Sequence, residues 1–148
     1  RDRGRLVRIL KELTRLRDQS ARVIDLDPKV YLEVVSKYKQ LRRSKKSLKA
    51  RLQVESVLSK SYRVQAALAL EVIQAKKFLH SVAAFAKGSI RNDLIVSSVL
   101  LDGAFWGAYA TARINVVCME KGGARRRHER QLQALEQKFK RSRFELNT

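Results

Sequence analysis

Apolar residues return every third or fourth position along almost the whole chain, which is the spacing of one face of an α-helix. Leu6, Ile9, Leu10, Leu13 and Leu16 mark a first amphipathic helix over about 3–23. The stripe is interrupted at "DLDP", where Asp27 suits an N-cap and Pro28 the first helical position, so a second helix is expected to start at Pro28. Tyr31, Val34, Val35, Tyr38, Leu41, Leu48 and Leu52 continue the stripe to about 58. A break is expected in the serine-rich "SVLSKSYR", followed by a third helix over about 62–87 that Gly88 closes. Ser89, Asn92 or Asp93 can start the next helix, 93–119, and Gly122 and Gly123 end it. A last helix, 124–146, carries Leu132, Leu135, Phe139 and Leu146 on one face.

The pattern predicts an all-α fold in a single domain, residues 1–148, with four to five helices. Its centre is expected to be the apolar helix 93–119, packed by basic amphipathic ones; the β-branched run "DLIVSSVLL" is the one place where a buried strand competes.

Charge changes the picture next. The 148 residues hold 33 Lys and Arg against 14 Asp and Glu, a formal net charge of +19. An excess of this size repels itself and attracts polyanions, so nucleic acid or an anionic membrane surface becomes the leading partner class. With 45% hydrophobic residues in periodic blocks, the chain is not a disordered basic tail. Only residues 92–118 escape the basic excess, at −1 from Arg113 against Asp93 and Asp102. That segment is also the most apolar. A membrane-inserted helix over 94–112 is therefore the alternative to a buried core helix, with Gly103 and Gly107 as a close-packing pair. In either setting Asp102 needs a basic partner from a neighbouring helix.

The densest cationic stretch is "LRRSKKSLKARL", residues 41–52. Read as continuous helix, it places Leu41, Leu48 and Leu52 on a packed seam and Arg42, Arg43, Lys45, Lys46 and Lys49 on an acid-free band beside it, with Arg51 in the same basic stretch. Such a band is destabilised by like charges until a polyanion neutralises it. Arg125, Arg126, Arg127 and Arg130, at the start of the last helix, form a second cationic set. These ten residues are the expected nucleic-acid-binding residues. Aromatic side chains nearby fall on the apolar stripes, so the expected contacts are to backbone phosphate and not to bases.

Catalytic chemistry finds little purchase in local motifs. His80 and His128 have no nucleophile or metal partner at short spacing, Cys118 sits in the apolar "VVCME" and reads as an inert core thiol, and no phosphate-binding or dinucleotide fingerprint occurs. No catalytic residue, metal or cofactor is expected. A single cysteine excludes an internal disulfide and suits a reducing compartment. In balance of composition the chain is similar to small ribosomal proteins. The functional expectation is thus a non-catalytic structural component of a large ribonucleoprotein, most simply a ribosomal protein. It would contact rRNA phosphate backbone and neighbouring proteins, in a mitochondrial or other organellar matrix or otherwise in the cytoplasm. The alternative is a subunit of a membrane complex, with its basic helices on anionic lipid.

Overall fold

The computed structural model describes residues 2–144. Every regular element there is a helix: α1 (Asp2–Arg43), α2 (Leu48–Ala83), α3 (Ser89–Val117) and α4 (Gly123–Arg141). The all-α expectation holds, and "DLIVSSVLL" is helical. Leu146, expected on the last helix, lies outside the described residues.

The breaks fall elsewhere than expected. α1 runs straight through "DLDP", with Pro28 inside it. Interior proline removes one helical hydrogen bond and costs about 3 kcal/mol against alanine. Burial nearby offsets that cost: Val30 is fully enclosed, and Asp27 does not cap a helix but accepts a hydrogen bond from Gln65 Nε2 at 2.7 Å. α2 likewise continues through "SVLSKSYR", because Val57, Leu58, Ser61 and Tyr62 all face inward there. Small serines fit the packed seam between helices, and that tertiary fit outweighs their weak helix propensity.

The true break lies inside "LRRSKKSLKARL". Lys45 and Lys46 take left-handed φ angles of 48° and 59°, and Lys46 N–H donates to the Leu41 carbonyl at 3.1 Å across the end of α1. This turn satisfies orphan carbonyls at a helix end, a position where glycine is the usual residue. Ser47 then caps α2 by accepting from the Ala50 N–H. The turn resets the helical phase, so the expected seam is lost: Leu48 and Leu52 are 73% and 62% exposed, and Ala50, Val54 and Val57 point inward in their place. Gly88, expected to close α2, instead precedes α3 as its N-cap with φ of 55°, while α2 ends at Ala83 with Ala84 as its C-cap.

The central helix is α2, not the apolar segment. α2 packs against α1, α3 and α4. It buries a broad stripe that includes Leu58, Tyr62, Ala69, Val72 and Ile73. α3 buries one face, through Leu94, Ser98, Phe105, Ala108, Ala112 and Val116, and leaves Ile95, Val99, Leu100, Ile114 and Val117 exposed. Its apolar length would cross a bilayer by composition, but its inner face is committed to α2. Phe105, fully buried, stacks on Phe139 of α4 with centroids 3.8 Å apart, which fastens α4 onto the α2–α3 pair.

Candidate functional site

The ten cationic residues expected to bind nucleic acid gather at one end of the bundle. Arg42, Arg43, Lys45 and Lys46 lie at or beside the α1–α2 turn, and Lys49 and Arg51 open α2. The α3–α4 turn meets them: Glu120 N–H donates to Glu55 at 2.8 Å, and Arg51 lies 3.8 Å from the Glu120 carboxylate. Arg125, Arg126, Arg127 and Arg130 follow on α4. Acids from α3–α4 therefore reach into the cationic end, which the sequence shows as an acid-free band only along one segment. Arg125 is occupied by Glu129 at 2.8 Å and by the Val117 and Met119 carbonyls.

Two of the concave sites are lined by a carboxylate. The first is a groove among α1, α2 and α3, lined by Ser20, Ile24, Asp27, Pro28, Gln65 and Thr111 among others. The i, i+4 and i+7 spacing of Ser20, Ile24 and Asp27 places them on one face of α1. Gln65 is buried, and its amide donates to one carboxylate oxygen of Asp27. A little farther along, Ser20 donates to Glu71 at 2.8 Å. Among the described residues neither Asp27 nor Glu71 takes part in an ion pair, which is unexpected on so basic a chain. Pro28, which has no N–H to give the Ile24 carbonyl, lines the groove beside Ile24. Gly107 forms part of the opposite wall, and no atom stands where its Cβ would be.

The second site is a cavity of about 550 Å³ between α2, α3 and the end of α4, lined by Lys76, Asp102, Trp106, Phe139, Lys140 and Arg143. Lys76 is buried to 1% exposure and donates to Asp102, whose carboxylate is 43% open. The expectation that Asp102 takes a cation from a neighbouring helix is met by α2. Lys76 Nζ also stands 4.7 Å from the centroid of the Phe139 ring, in cation–π geometry. At the rim, Lys140 holds Glu136 at 2.7 Å and Tyr109 donates to the same carboxylate at 3.2 Å. The Lys140 hydrogen bond, then the Tyr109 one, hold the Glu136 carboxyl below the usual range. Burial first, then Glu136, push the Tyr109 phenol up.

His128, which has no partner nearby in sequence, has two in space. It is buried against the Tyr62 ring at 4.1 Å between centroids, with Ser59 Oγ 2.9 Å from Nε2 and Gln131 Oε1 2.8 Å from Nδ1. A carboxamide oxygen only accepts, so Nδ1–H donates to Gln131, while Nε2 and the Ser59 hydroxyl share a hydrogen bond. Nucleophile, base and orienting group are thus aligned. Ser59, however, lies mid-helix, where backbone N–H groups are consumed by the helix and none is left to stabilise an oxyanion. The cluster is a polar clasp between α2 and α4. Cys118, expected in the core, is exposed at the end of α3.

Residues 2–134 match the family described as formiminotransferase-cyclodeaminase. No curated protein and no solved structure matches the chain. The family match overturns the ribosomal reading: a match over most of the chain to a family named for a metabolic enzyme replaces one built on charge balance, and the membrane-subunit alternative falls with it. Net charge reports solubility and association, not identity. The expectation of a non-catalytic protein holds only in part, since the family takes its name from an enzyme. The groove lies wholly within the matched residues, whereas Phe139, Lys140 and Arg143 of the second cavity lie after them.

Proposed function

This chain belongs to the formiminotransferase-cyclodeaminase family, and we propose that its α1–α2–α3 groove holds a formimino group, with Asp27 as the carboxylate that grips it. A formimino group on nitrogen is an amidine. It is a strong base, so at neutral pH it is a planar cation with N–H donors on both nitrogens. The observation that carries the proposal is the half-committed carboxylate in the groove. Asp27 has one carboxylate oxygen fixed by Gln65, and among the described residues the other has no hydrogen-bond donor. A carboxylate that pairs with no Lys or Arg among the described residues, on a chain of net charge +19, is disposed toward a cation from outside.

Ring closure with loss of ammonia, the reaction that the word cyclodeaminase describes, needs little more than proton traffic. A second amine of the substrate attacks the amidine carbon, gives up its proton, and the original terminal nitrogen takes a proton and departs as ammonia. One carboxylate near both nitrogens can accept the first proton and return it to the second. Among the described residues Asp27 is the only titratable side chain lining the groove. On its own the chain therefore supplies the holding surface and one proton carrier, a part of a catalyst and not the whole.

The test uses N-formimino-1,2-diaminoethane, whose free amine can close onto the amidine carbon. Saturable binding is expected by calorimetry, weakened about tenfold or more in Asp27→Asn, which keeps an acceptor for Gln65 but removes the charge. Equal binding by the wild type and Asp27→Asn overturns the assignment.

A further inference from the structure

α2 and α4 run side by side in the same direction, Tyr62 meeting His128 near one end and Lys76 meeting Phe139 near the other. Between them runs a channel with two unlike halves. Around Tyr62, Ala66, Leu70, Ala134 and Leu135 it is a largely apolar cavity of about 340 Å³, with Arg63 and Gln131 two helical turns before Leu70 and Lys138. Farther along it is a cavity of about 350 Å³ lined by Lys77, His80, Lys138, Arg141 and Ser142. Lys138 lines both halves. We propose that this channel binds a small phosphate monoester with an apolar body, the phosphate in the cationic half and the body in the apolar half.

The cationic half is lined by no carboxylate, and among the described residues Lys77, Lys138 and Arg141 take part in no ion pair. Their neighbours Lys76 and Lys140 are each paired. α2 and α4 both end close by, at Ala83 and Arg141, and each helix C-terminus counts as about half a negative charge. Three full cations exceed that by about two charges.

A phosphate monoester carries two negative charges on one compact group, for which a guanidinium fork and lysine ammonium groups are suited donors. A monocarboxylate brings only half of that charge, and a polycarboxylate spreads its charge along its length into the apolar half. Each half falls in the range of small-molecule sites. The channel shares no lining residue with the Asp27 groove, so this proposal does not rest on the formimino reading.

The intact chain is titrated at mildly alkaline pH with n-hexyl phosphate, methyl phosphate and n-heptanoate, followed by calorimetry and by proton NMR of the histidines. The chain holds two histidines, so His80 marks the cationic half and His128 the Tyr62 end. n-Hexyl phosphate is expected to bind saturably and shift His80, with methyl phosphate and n-heptanoate each about tenfold or more weaker. Lys77→Gln with Arg141→Gln should weaken both phosphates about tenfold or more, with the His128 resonance of the free protein unmoved as the sign that the fold is kept. Arg42→Gln with Arg43→Gln, an equal loss of charge at the end of α1, should change neither. Leu70→Asn, at an exposed position in the apolar half, should weaken n-hexyl phosphate and leave methyl phosphate unchanged. No saturation with n-hexyl phosphate, n-heptanoate binding as tightly, or equal weakening by the two charge-removing pairs overturns the proposal.

Discussion

Asp27 and Asp102 are both helix-borne carboxylates at the edge of a concave site, and they are compensated in opposite ways. Asp102 has the full charge of a buried lysine, and Asp27 has only the dipole of a buried amide. Where a cation is sealed in the protein, the carboxylate is bound to the fold, and removing it exposes the lysine to an environment that cannot solvate it. Where a neutral amide does the holding, the negative charge remains available to a ligand. The first arrangement serves stability. The second is the one proposed to hold a ligand.

The largest effect expected from breaking this contrast is at Asp102. Asp102→Ala strands the Lys76 ammonium beneath α4, and urea denaturation should show a loss of about 2–3 kcal/mol, at the lower end for a buried pair because Asp102 itself is partly hydrated. Lys76→Met, which removes the cation and keeps the packing volume, should lose less than about 1 kcal/mol. Equal losses in the two variants would mean that the pair is an ordinary surface ion pair. At Asp27 the effect is smaller: Asp27→Ala leaves the buried Gln65 amide without its acceptor and should lose about 1–2 kcal/mol, whereas Asp27→Asn keeps the acceptor and should lose less than about 1 kcal/mol. A larger loss in Asp27→Asn than in Asp27→Ala would show that the charge, and not the acceptor, holds α1 to α2.

Asp102's need for a cation was legible because one acid inside an apolar run is a local contradiction that only a distant partner resolves. Which lysine answers was not legible, because it depends on the rotational phase of α2, and that phase is set by the turn at Lys45 and Lys46. No glycine marks this turn, so Leu48 and Leu52 read as a continuation of the stripe that ends in α1. Asp27 failed for the converse reason. "DP" is a strong local start signal, and its helical neighbours on α1 are stabilised by packing on α2 that no short window contains. Helix content and the inward face of Leu132, Leu135 and Phe139 followed from periodicity alone. The groove did not, since Gln65 is separated from Asp27 by most of a hairpin.

Glu136 sharpens the contrast from its exposed end. It is paired to Lys140, which lines the Asp102 cavity, and accepts from Tyr109, and its carboxyl is held below the usual glutamate range. A carboxyl depressed in the folded state stabilises the fold above the ordinary glutamate range, and that contribution is lost as pH falls through the folded value. Lys140→Gln removes the largest cause, so a carboxyl-carbon NMR titration should show Glu136 moving up toward the ordinary glutamate range while the Tyr109 hydrogen bond keeps it from arriving. Tyr109→Phe should move it up by less. A larger shift in Tyr109→Phe would place the neutral phenol above the ammonium in holding this carboxylate, and would make Glu136 resemble Asp27 in kind and not Asp102.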